Sequence, residues 1–168
     1  MKPILLAAAL SACGWSSGTT AWELNTYQDF VRGRFEGVSL SRDGQLTLAP
    51  KVETVFSSGQ PVIWSVVQAS DGTLYVATGH RGRVYRIDRA GASSLLWTAD
   101  QPEVFALALD SKGVLYAGTS PDGKVYRIEN GKAAEYFAPK AKYIWSLVVA
   151  RDGVLFVGTG DQGKIYCV

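Results

Sequence analysis

A stretch of 25 or 26 residues is written three times in this chain, and that repetition constrains its fold more than any other feature. Ile63 to Asp88 reads IWSVVQASDGTLYVATGHRGRVYRID, Val104 to Glu129 reads VFALALDSKGVLYAGTSPDGKVYRIE, and Ile144 to Val168 reads IWSLVVARDGVLFVGTGDQGKIYCV. Gly72, Gly113 and Gly153 are 41 and 40 residues apart, and Gly82, Gly123 and Gly163 keep the same step. So do Tyr85, Tyr126 and Tyr166, and likewise Trp64, Phe105 and Trp145. Each unit is one supersecondary element that buries its apolar faces only by stacking on its neighbours.

The units divide into short strands separated by turn residues. In the first, Ile63 to Ala69 is an inner strand and Ser70-Asp71-Gly72 a tight turn in which glycine can take a positive φ. Leu74 to Thr78 is the second strand, Gly79-His80-Arg81-Gly82 a loop, Val84 to Ile87 the third strand, and Ser94 to Trp97 the outermost. The second unit repeats this plan, with Ala134 to Phe137 as its outer strand. The second strands, LYVAT, LYAGT and LFVGT, are β-branched, aromatic and nearly continuously apolar, as suits sheets covered on both faces. A period near 40 with four strands per unit predicts an all-β chain built as the blades of a β-propeller.

Ahead of the repeats, Phe35 to Ala49 predicts a hairpin turning at Arg42-Asp43-Gly44, and Val52 to Phe56 a further strand. Residues 22–34 form a polar, aromatic lead-in, extended or of one helical turn. The propeller part therefore spans residues 35–168: a hairpin and strand at 35–58, blades at 63–99 and 104–138, and a partial blade at 144–168. The third blade stops after its third strand, and Val52 to Phe56 is a candidate for the missing fourth in an interlocking closure. A closed propeller needs at least about four blades, so the chain reads as an incomplete propeller. Either it is part of a longer one, or it closes by self-association.

The N-terminus carries the marks of an export signal at residues 1–21. Lys2 is followed by an apolar run from Ile4 to Ala12, and no acidic residue precedes Glu23. The run is too short for a stable membrane span. Thr19-Thr20-Ala21 offers a cut before Trp22. Leu10-Ser11-Ala12-Cys13-Gly14 offers the alternative of a lipoprotein site at Cys13. Both place the chain outside the cytoplasm, periplasmic or extracellular, with a lipid anchor in the second case and no membrane span after processing. A formal charge of +2, with no run of more than two basic residues, gives no electrostatic case for nucleic acid.

The pattern I-W-S-x-x-x-x-x-D-G-x-L-Y-V-x-T-G followed by G-R/K-V-Y-R-I resembles bacterial exported β-propellers. It is similar to the two-component-regulator propeller repeats and to the NHL repeats, and more loosely to gluconolactonase and regucalcin-like propellers, over Ile63 to Val168. No Trp-Asp pair closes a blade in the manner of WD repeats. The Trp that docks quinoprotein blades after a Thr-Gly turn is not matched either, since Ala90 stands for the Thr and Phe137 for the second Trp.

The resemblance implies a ligand face formed by the loops between second and third strands and by the blade connectors. On it fall His80, Arg81, Glu103, Asp122, Asp161 and Gln162, whose types vary from unit to unit while the scaffold positions repeat. The bland alternative is that unconstrained loop tips drift. His80 is the sole histidine, which rules out a histidine-based metal cluster. Trp64, Phe105 and Trp145, at the start of each inner strand, are either a stacking surface for a sugar or aromatic ligand or large residues packed between blades. Cys167, alone near the end, reads as a packed strand residue.

The functional expectation is a non-catalytic binding module of the cell envelope, without cofactor, taking a protein or glycan on its loop face. The alternative is a metal-dependent lactonase-type hydrolase in which Glu103, Asp122 and Asp161 would hold Ca²⁺. Against it, the inner-strand Asn and Asp of those enzymes are replaced here by Ser65, Ala106 and Ser146. A third reading is the sensor part of a larger signalling protein.

Overall fold

The computed structural model describes residues 21–168, and the chain divides into two compact units, Met1–Glu53 and Thr54–Val168. The expected leader, apart from Ala21, and with it Cys13, lies outside the described residues.

In the first unit, α1 (Tyr27–Val31) is a single turn and a half started by a capping box. The Asp29 amide donates to the Thr26 hydroxyl at 3.3 Å, and the Thr26 amide to the Asp29 carboxylate at 3.2 Å. Both satisfy N-terminal amides that a helix leaves without partners. β1 (Val38–Leu40) and β2 (Leu46–Leu48) form the expected hairpin, with Val38 opposite Leu48, and Gly44 supplies the positive φ of its turn.

The second unit holds three antiparallel sheets. β3 (Ile63–Gln68), β4 (Leu74–Thr78), β5 (Arg83–Ile87) and β6 (Ser93–Thr98) make the first. β7 (Glu103–Leu109), β8 (Leu115–Ser120), β9 (Gly123–Glu129) and β10 (Lys132–Ala141) make the second. β11 (Ile144–Val149), β12 (Leu155–Thr159) and β13 (Ile165–Cys167) make the third. Within each sheet, sequential strands are neighbours, and the first strands lie together, β7 against both β3 and β11. The sheets are thus blades arranged about a common inner edge.

Two cores result, one on each side of the middle blade. Ala77 and Val84 meet Val104, Leu107, Leu115 and Ile128 between the first and second. Ala106, Ala108, Tyr116 and Val125 meet Ile144, Leu147, Leu155 and Val157 between the second and third. All of β8 is buried, because it lies inside the middle blade, which has a blade on either face and a strand on each of its edges. Burial of each such Leu, Ile or Val contributes about 1.5–3 kcal/mol.

The Gly-Thr or Ala-Thr that ends every second strand has a structural reason. The hydroxyls of Thr78, Thr119 and Thr159 donate to the carbonyls of Arg83, Lys124 and Lys164, at 3.0, 3.2 and 3.0 Å. Each bond ties the two ends of the loop that follows, and each threonine is buried.

One expectation is corrected. Val52 to Phe56 is not a strand, and it does not complete the third blade. The open edge it would need belongs to β13, two blades further on, while Phe56 is held on the first blade by the ring of Tyr85, 5.2 Å away. Without a ladder partner an extended segment gains no strand hydrogen bonds. The outer strand of the second blade is also longer than expected, running through Lys132–Ala141 with two irregularities in its register.

Candidate functional site: an aromatic shelf at three bulges

Every inner strand carries a β-bulge at the same place. Ile63 pairs with Thr78 and Ser65 with Ala77, so Trp64 is the extra residue. The same shift leaves Phe105 unpaired between Val104 and Ala106, and Trp145 between Ile144 and Ser146. A bulge re-aims the side chain of the residue it inserts. Here it turns three aromatic rings out of their sheets and onto one another.

The Trp64 and Phe105 rings meet edge to face at 4.9 Å, and Phe105 and Trp145 stack at 4.6 Å. Tyr143 extends the row by stacking on Trp145 at 5.2 Å. Trp64 and Trp145 remain 45% and 53% exposed, large fractions for tryptophans already in contact with other rings. The aromatic positions therefore do two things at once: they touch across blades, and they present an open surface. Tyr143 escaped the sequence reading because its equivalents, Val62 and Glu103, are not aromatic and so leave no periodic signal.

Glycines make room for the indoles. A Cβ on Gly79 would lie 2.6 Å from Nε1 of Trp64, and one on Gly160 would lie 2.6 Å from Nε1 of Trp145. No substituent fits at those distances.

The polar candidates fall into two groups. At the junction of the first and second blades, the half-buried carboxylate of Glu103 accepts the Trp64 indole N–H at 2.6 Å and the His80 amide at 3.1 Å. The His80 ring stands 3.9 Å from the same carboxylate, and Arg81 is exposed beside it. Glu103 is thus a clamp that orients Trp64. At the junction of the second and third blades, Asp122 and Asp161 share an open cleft of about 380 Å³ with Lys124, Lys140 and Lys142. Asp161 accepts the Lys142 amide at 2.9 Å. The Lys142 ammonium lies 5.2 Å from the centre of the Tyr143 ring, and hydrogen bonding to Tyr143, with that side chain's charge and that of Asp161, raises its pKa. Gln162 lines a neighbouring cleft with Lys164.

His80 and Asp161 occupy equivalent loop positions, and both have positive φ, 68° and 64°. His and Asp are among the residues that tolerate that conformation. Their identity is accounted for by the backbone as well as by any ligand. Gln101, on the first connector, is buried rather than displayed, and its side-chain oxygen has no partner among the described residues.

Among the described residues no three His, Cys, Asp or Glu side chains gather closely enough to hold a metal ion.

No protein-family model and no curated protein matches the chain. Solved structures do. Virginiamycin B lyase from Staphylococcus aureus is 18% identical with a TM-score of 0.57, over 77% of this chain and 47% of that one. The fold is a β-propeller. A structure described as a gluconolactonase is 17% identical with a TM-score of 0.53, over 76% of this chain and 50% of that one. The extracellular domain of BT4673 from B. thetaiotaomicron is 17% identical with a TM-score of 0.54, over 75% of this chain and 18% of that one. The propeller described here spans about half the length of the lyase. Likeness at this identity carries the architecture and no activity.

Proposed function

We propose that this propeller is an exported, non-catalytic binding module of the cell envelope, and that its ligand lies on the shelf of Trp64, Phe105, Tyr143 and Trp145. The observation that carries this reading is the continuous row of partly exposed rings, held in place by bulges, by Glu103 and by glycines that leave space for the indoles. Exposed aromatic faces suit the apolar face of a sugar ring, and the flanking Glu103, Lys142 and Asp161 offer polar partners at its rim. Glycan is the ligand class that fits best, with an aromatic-bearing protein segment as the competing occupant. Export is supported by the basic and apolar N-terminal residues and by the likeness to an extracellular domain. No helix among the described residues is long and apolar enough to cross a membrane.

Calorimetric titration with a panel of soluble envelope and extracellular glycans tests the reading. Binding that is lost in Trp145→Ala, with the melting temperature unchanged, supports it. Glycan binding that survives both Trp64→Ala and Trp145→Ala sinks the shelf as the site. Lactone turnover that needs added Ca²⁺ and disappears in Asp161→Ala would replace the reading with the hydrolase.

A further inference from the structure

The two end blades expose what the middle blade buries. Ala108, Tyr116 and Val125 are covered by the third blade, and their counterparts 40 residues on are Val148, Phe156 and Ile165. Val148 is 60% and Ile165 77% exposed, and Phe156 is exposed too. On its other side the middle blade buries Val104 and Leu107 against the first blade. Their counterparts 41 residues back, Ile63 and Val66, are exposed on the first blade. The two free faces are of opposite kinds, so the contact that reproduces the joints inside the chain is head to tail.

An unpaired edge points the same way. β5 is paired by β6 and β9 by β10, but among the described residues no strand pairs with the outer edge of β13. Inside the chain, the outer-strand rings of Trp97 and Phe137 pack on the tyrosine of the following blade, Tyr126 and Tyr166, at 4.8 and 5.4 Å. Phe56 has that relation to Tyr85, at 5.2 Å. The residues of each pair are 29 apart in all three cases. Thr54 to Ser58 therefore stands to the first blade as an outer strand stands to the blade that follows it, although among the described residues no strand pairs with it.

We propose that two copies of this chain close head to tail into a ring, in which residues 54–56 of each copy add the fourth strand to the third blade of the other. The register follows from the joints within the chain. Val84 opposes Trp97 and Val125 opposes Phe137, so Ile165 opposes Phe56 of the second copy. Tyr85 opposes Leu95 and Tyr126 opposes Glu135, so Tyr166 opposes Thr54. Both joints of the ring are identical, and a heterologous contact that closes after two copies leaves no sticky end. The size agrees: the matched stretch covers 47% of the lyase and 50% of the gluconolactonase structure, so two copies supply one propeller of that length. Closure also continues the aromatic shelf from Trp145 of one copy toward Trp64 of the next.

Light scattering behind a sizing column on the purified chain tests this, with two variants. Ile165→Lys and Val66→Lys each put a charge where the single chain is exposed, so each keeps its fold, checked by circular dichroism and melting temperature. The expected result is a discrete species of twice the chain mass that falls to one chain mass in both variants. A monomeric wild type, a larger ring or polydisperse aggregate would overturn the proposal; the first would leave the β13 edge for a further segment of chain. A dimer broken by Ile165→Lys and untouched by Val66→Lys would also overturn it, because that is the signature of two third blades meeting face to face.

Discussion

Phe56 and Tyr85 pack with ring centroids 5.2 Å apart, and the Tyr85 hydroxyl donates to the Ser58 carbonyl at 3.4 Å. This pair fastens a segment with no strand pairing of its own to the first blade. In the single chain, as isolated by Ile165→Lys, Phe56→Ala should therefore cost about 1–3 kcal/mol of stability in urea denaturation, the loss of a partly buried aromatic contact. Trp97→Ala removes the same contact from a paired strand that also packs in the core between blades, and should cost about 3–5 kcal/mol. Equal losses would mean that residues 54–58 are as firmly built in as β6.

The threonines at the ends of the second strands make a sharper test. Thr119 is fully buried, and its hydroxyl donates to the Lys124 carbonyl at 3.2 Å. Thr119→Val keeps the shape and leaves the carbonyl without that donor, at a cost of about 1–3 kcal/mol. The urea midpoint should fall with the slope unchanged, since the exposed area on unfolding is the same. An unchanged midpoint would mean that the loop carbonyl is satisfied in another way.

The repeat period, the glycine turns and the strands from Ile63 onward were legible because they follow from side-chain alternation and from turn chemistry that only a few residues satisfy. The bulges at Trp64, Phe105 and Trp145 were not. A bulge is a mismatch of register between two strands, and neither strand's pattern alone records it. The aromatic positions could be found by their period, but whether they are covered depends on where the bulge aims them. Val52 to Phe56 shows the reverse failure. Its composition reads as a strand and its Phe56 sits at the outer-strand distance from Tyr85, yet a strand also needs an edge, and composition cannot say whether one is in reach. Glu103 and Asp161 were legible as acids of the ligand face, but not their local structural work: Glu103 accepts the Trp64 indole N–H and the His80 amide, and one oxygen of Asp161 accepts the Lys142 amide.

Gly79→Ala tests how the shelf is held. The added methyl would collide with the Trp64 indole and the Glu103 carboxylate, and the backbone there has no positive φ to complicate the result. Trp64 should leave its edge-to-face contact with Phe105. The near-ultraviolet circular dichroism and the tryptophan emission should change, and ligand affinity at the shelf should fall with them. Gly160→Ala should act likewise on Trp145, where the collision is with the indole and with Tyr143. Unchanged spectra in both variants would show that the added methyl is accommodated without displacing the indoles.

Asp71 gives the chain an acid-side dependence whose sign is fixed by its hydrogen bonds. Its carboxylate accepts the Thr73 amide at 2.9 Å, and that bond, foremost, lowers its pKa from the ordinary carboxylate value. A group with a lowered pKa in the folded state stabilises the fold above its unfolded pKa, about 3.9 for aspartate. The contribution is lost as pH falls through the folded value, when the proton removes the acceptor. Asp71→Asn keeps an oxygen in the turn and removes the titration. Melting temperatures of the two proteins should therefore run parallel from neutral pH down to about pH 4 and converge or cross below it, the wild type falling more steeply. Parallel curves through the whole acid range would mean that the turn does not depend on the charge of Asp71.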